Sequence, residues 1–125
     1  MPLSQQDAEK LITKIQDDFH KKWTAGDAKG LAAFYHADAV LIEKGKSAAY
    51  GLEEIEKKYV EALKTPMDFK LNFELTTPAA DGEYIIHQGN FVFAALPDKP
   101  APYGQIYKRT SSGQYLIIHD IFEQP

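Results

Sequence analysis

Few side chains in this chain could move a proton. His87 and the adjacent pair His119-Asp120 sit in apolar stretches, and Glu43 follows the run Val40-Leu41-Ile42. A histidine and a carboxylate within hydrogen-bond reach can share general acid-base work in dehydration or hydrolysis. His119 and Asp120 are neighbours on what reads as one strand, so they point to opposite faces unless a bulge intervenes. A dyad from two strands, His87 with Asp120, stays open; the plainer reading is a histidine satisfied within a hydrogen-bonded wall. Asp120 shares the alternation Leu116, Ile118, Asp120 and Phe122. An acid on an apolar face is costly to bury, so it is expected either to accept bonds from a tyrosine or Lys108 or to ionise late.

Other chemistries find less support. There is no cysteine in 125 residues, which removes disulfides, thiolate nucleophiles and thiolate metal sites together. The histidines His20, His36, His87 and His119 show no paired ligand spacing, so no metal is expected. Neither a glycine-rich phosphate loop nor a nucleophile elbow is present, and no cofactor is expected. The net charge is -4, from 14 basic and 18 acidic residues, with basic clusters as short as His20-Lys21-Lys22 and Lys108-Arg109. A nucleic-acid partner is therefore not expected. No apolar run approaches the ~20 residues of a membrane span. Residues 1–7 carry no basic stretch followed by an apolar run, and the expectation is a cytoplasmic protein.

The aromatics say more. Seven Tyr, seven Phe and one Trp include several hydroxyls that need partners if buried. Tyr35, Tyr59 and Tyr103 beside Glu43, His87 and Asp120 would line an apolar cavity with a few polar groups, the usual make-up of a site for a small apolar ligand. Tyrosines on an outer sheet face would equally suit a homodimer interface.

The elements that must position these residues can be read from periodicity. Ser4 is a candidate N-cap, and Ala8, Leu11, Ile12, Ile15, Phe19 and Trp23 form an apolar stripe over residues 4–25. Trp23 closes that stripe and is expected to be structural. Gly26-Asp27 stops the helix, and a short second helix carries Leu31, Phe34 and Tyr35. Val40-Leu41-Ile42 reads as a strand. A third helix begins after Gly51, with Leu52, Ile55, Tyr59, Ala62 and Leu63 on one face and a stop at Thr65-Pro66. The period then changes to two. Met67, Phe69, Leu71, Phe73 and Leu75 alternate with polar residues, which places Phe69 and Phe73 in the core. Asp81-Gly82 signals a hairpin, Gly89 a bulge or bend in the strand from Glu83 to Ala95, and Thr110 to Gly113 the turn between strands at Tyr103–Arg109 and Gln114–Glu123. Helices come early and strands late, the order of one α+β domain over residues 1–125.

That order, with particular segments, resembles the nuclear transport factor 2-like (SnoaL-like) superfamily. Trp23-Thr24-Ala25-Gly26-Asp27 and Phe34-Tyr35-His36-Ala37-Asp38-Ala39-Val40-Leu41 are similar to its opening motif, and Gly51-Leu52-Glu53-Glu54-Ile55 to the start of its third helix. His87 to Phe91, Tyr103 to Arg109 and Tyr115 to Phe122 resemble its closing meander, with Tyr115 where the nearest subgroup carries tryptophan. That subgroup is a domain-of-unknown-function branch that also resembles the association domain of calmodulin-dependent kinase II. The resemblance implies a cystatin-like cone: a curved, mainly antiparallel sheet against three N-terminal helices. Steroid isomerases of the superfamily use a carboxylate base with an oxyanion hole of a tyrosine and a protonated aspartic acid. By position the base would be Glu43, the tyrosine is replaced by His20, and the strand around Tyr103 to Gln105 offers no acid. Fold does not dictate function. The expectation is a homodimeric module with a pocket for a small apolar ligand. The alternatives are an association domain, or a cofactor-independent lyase or isomerase with Glu43 or Asp120 as base.

Overall fold

In the computed structural model, residues 3–65 and 67–125 are described. Helix α1 runs Gln5–Thr24, capped by the Ser4 hydroxyl, which accepts from the Asp7 amide. Its buried line is Ala8, Ile12 and Gln16, with Phe19 packed against the core, while Leu11 is 37% exposed. The stripe is thus rotated from the one read in the sequence, and a glutamine sits in its centre. Gly26 takes a left-handed φ of 70° after α1, and Asp27 caps the five-residue helix α2 (Ala28–Ala32) through the Gly30 amide.

Phe34 and Tyr35 are not helical as expected. Tyr35 opens strand β1 (Tyr35–Glu43), which extends well upstream of Val40 and pairs with a short strand, β2 (Ser47–Tyr50), unread in the sequence because only four residues compose it. Helix α3 is Gly51–Ala62; the expected stop at Pro66 lies outside the described residues. On α3 only Ile55 is fully buried, and Leu52 is exposed rather than sharing its environment.

Strands β3 (Phe69–Ala79), β4 (Tyr84–Phe93), β5 (Ala101–Arg109) and β6 (Tyr115–Phe122) form the expected antiparallel meander. The six-stranded sheet has the order β2-β1-β6-β5-β4-β3, with β6 parallel to β1. The sheet is therefore mixed, and α1 packs on β3 and α3 on β1. The α+β class and the helices-on-sheet arrangement are as the sequence predicts. The core forms between them, with Ile12, Leu31, Tyr35, Ile55, Ile85, Tyr107 and Ile117 at 0–2% exposure. Removing an aliphatic side chain of that size from water contributes about 1.5–3 kcal/mol.

Two bulges set which residues face the core. Glu74 is the extra residue of β3, where Phe73 pairs with Gly89 and Leu75 with Gln88. Gly89 belongs there because a Cβ on it would lie 2.3 Å from the Asn72 carbonyl oxygen. Beyond the bulge Leu75 turns outward and Thr76 inward, and Phe73, although it meets the buried His87 ring edge-on, is 40% exposed instead of core. In β6 the register shifts around Ile118, since Ile106 pairs with His119 but Tyr107 with Ile117. Ile117, not Leu116 or Ile118, consequently shares the inner face with Asp120 and Phe122.

Candidate functional site

Asp120 lies on the inner face of β6 opposite Gln105 of β5, and 5% of its surface is exposed. Its Oδ2 accepts from the Tyr35 hydroxyl at 2.7 Å and from Gln105 Nε2 at 3.1 Å. Tyr35 also meets the Tyr59 hydroxyl at 2.6 Å. Gln105 Oε1 accepts from the Tyr107 hydroxyl at 2.7 Å and from Gln16 Nε2 at 2.8 Å. One chain of hydrogen bonds thus joins α3, β1, β6, β5 and α1. Burial pushes the Asp120 carboxyl up to about 6; the bonds from Tyr35 and Gln105, and the His119 imidazole on the opposite face, offset only part of that. Burial and then the Asp120 charge push the hydroxyls of Tyr35, Tyr59, Tyr103 and Tyr107 above the usual phenol range, so each remains a donor.

The dyad of His87 and Asp120 does not form. His87 is fully buried on β4, with Nδ1 2.8 Å from the Thr76 hydroxyl and Nε2 2.7 Å from the Tyr103 hydroxyl. Both ring nitrogens are occupied, and burial lowers its pKa to about 4, which keeps it neutral. Lys108 is not a partner of Asp120 either, because it faces outward opposite Leu116. His119 faces outward as well, opposite Ile106.

Glu43 ends β1 in a different environment. Lys58 Nζ of α3 lies 3.2 Å from its Oε1 and Lys46 Nζ 3.7 Å from its Oε2. Partial burial raises its pKa, but hydrogen bonds from Lys58 and Gln124 and the two lysine charges outweigh that and hold the carboxyl below its ordinary value. A general base near neutrality needs the opposite shift.

Between the helices and the sheet lies a cavity of about 490 Å³. The buried Asp120 and Gln105 line it, as do Glu43 and Lys58, and Phe19, Trp23, Tyr59, Phe91, Tyr103 and Phe122 supply much of the rest. Of the residues singled out in the sequence, Glu43, Tyr59, Tyr103 and Asp120 face the cavity. Tyr35 and His87 stand behind it, one bonded to Asp120 and the other to Tyr103. Trp23 is half-buried, donates from Nε1 to the Met67 carbonyl at 3.0 Å and meets Tyr59 and Phe69 edge-on. His20 bonds to Asp68 at 3.0 Å and does not line this cavity. Gln16, Gln105 and Lys58 escaped sequence reading. Gln16 had left a signal: it falls four residues after Ile12, on the buried line of α1. Among the described residues no three His, Asp or Glu side chains gather as a metal would require.

Solved structures share this architecture. An NTF2-like protein of unknown function from Shewanella oneidensis superposes with a TM-score of 0.77 at 14% identity, over 93% of this chain and 98% of its own. The fold is NTF2-like. A ketosteroid isomerase-like protein from Erwinia carotovora matches over 92% of this chain and 95% of its own, with TM-score 0.70 and 17% identity. A candidate calcium/calmodulin dependent protein kinase II association domain from Xanthomonas campestris matches over 91% and 85%, with TM-score 0.77 and 20% identity. No family model and no curated protein matches the sequence. On this NTF2-like scaffold, β5 lacks an acid, but its neighbour β6 brings Asp120 alongside Gln105.

Proposed function

We propose that the chain is a homodimeric module whose cavity takes a small, largely apolar molecule. The carrying observation is the cavity of about 490 Å³, a size ordinary for small-ligand sites, walled in large part by aromatic rings with Asp120 and Gln105 among its polar groups. The dimer reading rests on the outer face of the sheet. There Ile86, Ile106, His119 and Val40 form one cross-strand row and Gln88, Gly104, Ile121 and Ile42 the next, more apolar than a sheet facing water would be. A role as an association domain would use this same face. A cytoplasmic setting suits a chain without cysteine.

A second reading, cofactor-independent isomerase or lyase chemistry, is favoured by one observation: Asp120, pushed up to about 6, lines the cavity. Glu43 fits it poorly, being held between two lysines.

Trp23 is the sole tryptophan and lines the cavity, so its emission reports occupancy. Titration with compact bicyclic probes that do not absorb the emitted light should give a saturable change. Emission that stays flat to millimolar concentrations, with calorimetry equally silent, overturns the binding reading.

A further inference from the structure

The two Asp120 oxygens are not equivalent. Both protein hydrogen bonds fall on Oδ2, and among the described residues Oδ1 has none. Yet among the described residues no side-chain polar atom is both sealed from solvent and unpartnered, so Oδ1 keeps open surface, and Asp120 lines the cavity. Nor does any lysine, arginine or histidine stand within ion-pair distance of Asp120 among the described residues; the cavity's lysine, Lys58, is engaged by Glu43. The groups packed around this carboxyl are the hydroxyls of Tyr35 and Tyr59, the Gln105 amide and Tyr103, with the Glu43–Lys58 pair elsewhere in the wall and His119 turned outward. The carboxylate therefore offers one oxygen to a cation entering the cavity.

The surrounding walls favour the same charge. Aromatic rings present negative faces that attract cations and repel anions, tryptophan most strongly. Resting on the binding reading above, we infer that the cavity selects an apolar organic cation, a protonated amine on a compact hydrocarbon body, with its ammonium donating to Asp120 Oδ1.

The inference is tested with three probes of one shape: 2-aminoindane, 2-indanol and indane-2-carboxylate, titrated into the full chain by calorimetry and by Trp23 emission. At pH 8 the amine should bind about tenfold or more tightly than the alcohol, as charge-assisted bonds exceed neutral ones, and the carboxylate weakest. Asp120 must be ionised to receive the ammonium. The preference should therefore shrink as pH falls from 8 to 5 through about 6, while the amine itself stays protonated. Asp120→Asn should abolish the preference at pH 8; the pH arm on the unmodified protein decides the question if that variant does not fold. Equal or tighter binding of the alcohol or carboxylate overturns the cation inference and leaves the pocket reading standing. A preference removed by Glu43→Gln and untouched by Asp120→Asn also overturns it. Silence from all three probes overturns both.

Discussion

Two buried groups at the residue scale pull stability in opposite directions. Asp120 ionises at about 6 rather than the ordinary 3.8, so the native state binds more protons than the unfolded chain between those values. Its effect is fully present below pH 3.8 and lost as pH rises through 6, at about 1.4 kcal/mol per pH unit and about 3 kcal/mol in all. His87 protonates at about 4 rather than 6.5, so the native state binds fewer protons there and stability rises over that window by a similar amount. The two slopes nearly cancel in the native protein. Asp120→Asn should expose the His87 slope, with stability climbing from pH 4 to 6.5, and His87→Gln should expose the reverse. Urea unfolding across that range checks both signs; parallel curves for the two variants would refute the assignment. Trp23→Ala should cost about 2 kcal/mol, below the 3–5 kcal/mol of a fully buried ring, because Trp23 is only half-buried. It should also weaken probe binding, as the ring lines the cavity. An unchanged melting temperature with lost binding would show the residue to be purely part of the site. Identity alone gave the sequence reading Asp120, Tyr35 and His87 as special; it could not show that Tyr35 rather than His87 holds the acid, since that depends on which strands are neighbours.

At the element scale the periodic segments were legible and the phase shifts were not. Helix α1, helix α3 and the four-strand meander follow from three- and four-residue or two-residue spacing, and their bounds differ by only a few residues. A bulge changes phase without changing composition. Leu75 was therefore read in phase with Phe73 and Ile118 as a face-mate of Asp120, although Gly89 correctly flagged a disturbance in the sheet. The bulge opposite Gly89 makes a strong claim about that glycine. Gly89→Ala would press a methyl group onto the Asn72 carbonyl at 2.3 Å and the Tyr103 ring at 3.1 Å, and should cost about 1–3 kcal/mol. The hairpin after β3 offers the opposite change. Ala80 and Asp81 both hold left-handed conformations, with φ of 52° and 58°. Ala80→Gly should relieve that strain and raise stability by about 1 kcal/mol. Thermal melts of the two variants should move in opposite directions, and a rise for Gly89→Ala would argue against the bulge.

For the whole molecule, the outer rows that carry isoleucine and valine are the surface on which the dimer reading rests. If they join two copies, sedimentation should give twice the mass of the chain at micromolar concentration, and Ile106→Lys, in the middle of the row between Ile86 and His119, should give the single mass with the far-ultraviolet circular dichroism unchanged. A native protein that sediments as a single chain would remove the homodimer from the proposal. The parallel junction of β1 and β6 has a consequence of another kind. The last strand in chain order occupies the interior of the sheet, between β1 and β5, so Tyr35 must wait for Ile117, 82 positions later, before it gains its neighbour. A nascent chain can close the β1–β2 hairpin and the β3–β5 meander early, but each then holds a naked edge until residue 122 has emerged, and the Asp120 network cannot begin to assemble before that. Such late, long-range closure places refolding among the slower small domains, on the scale of milliseconds to seconds, and makes the half-made sheet with its open edges the species most exposed to wrong pairing between chains.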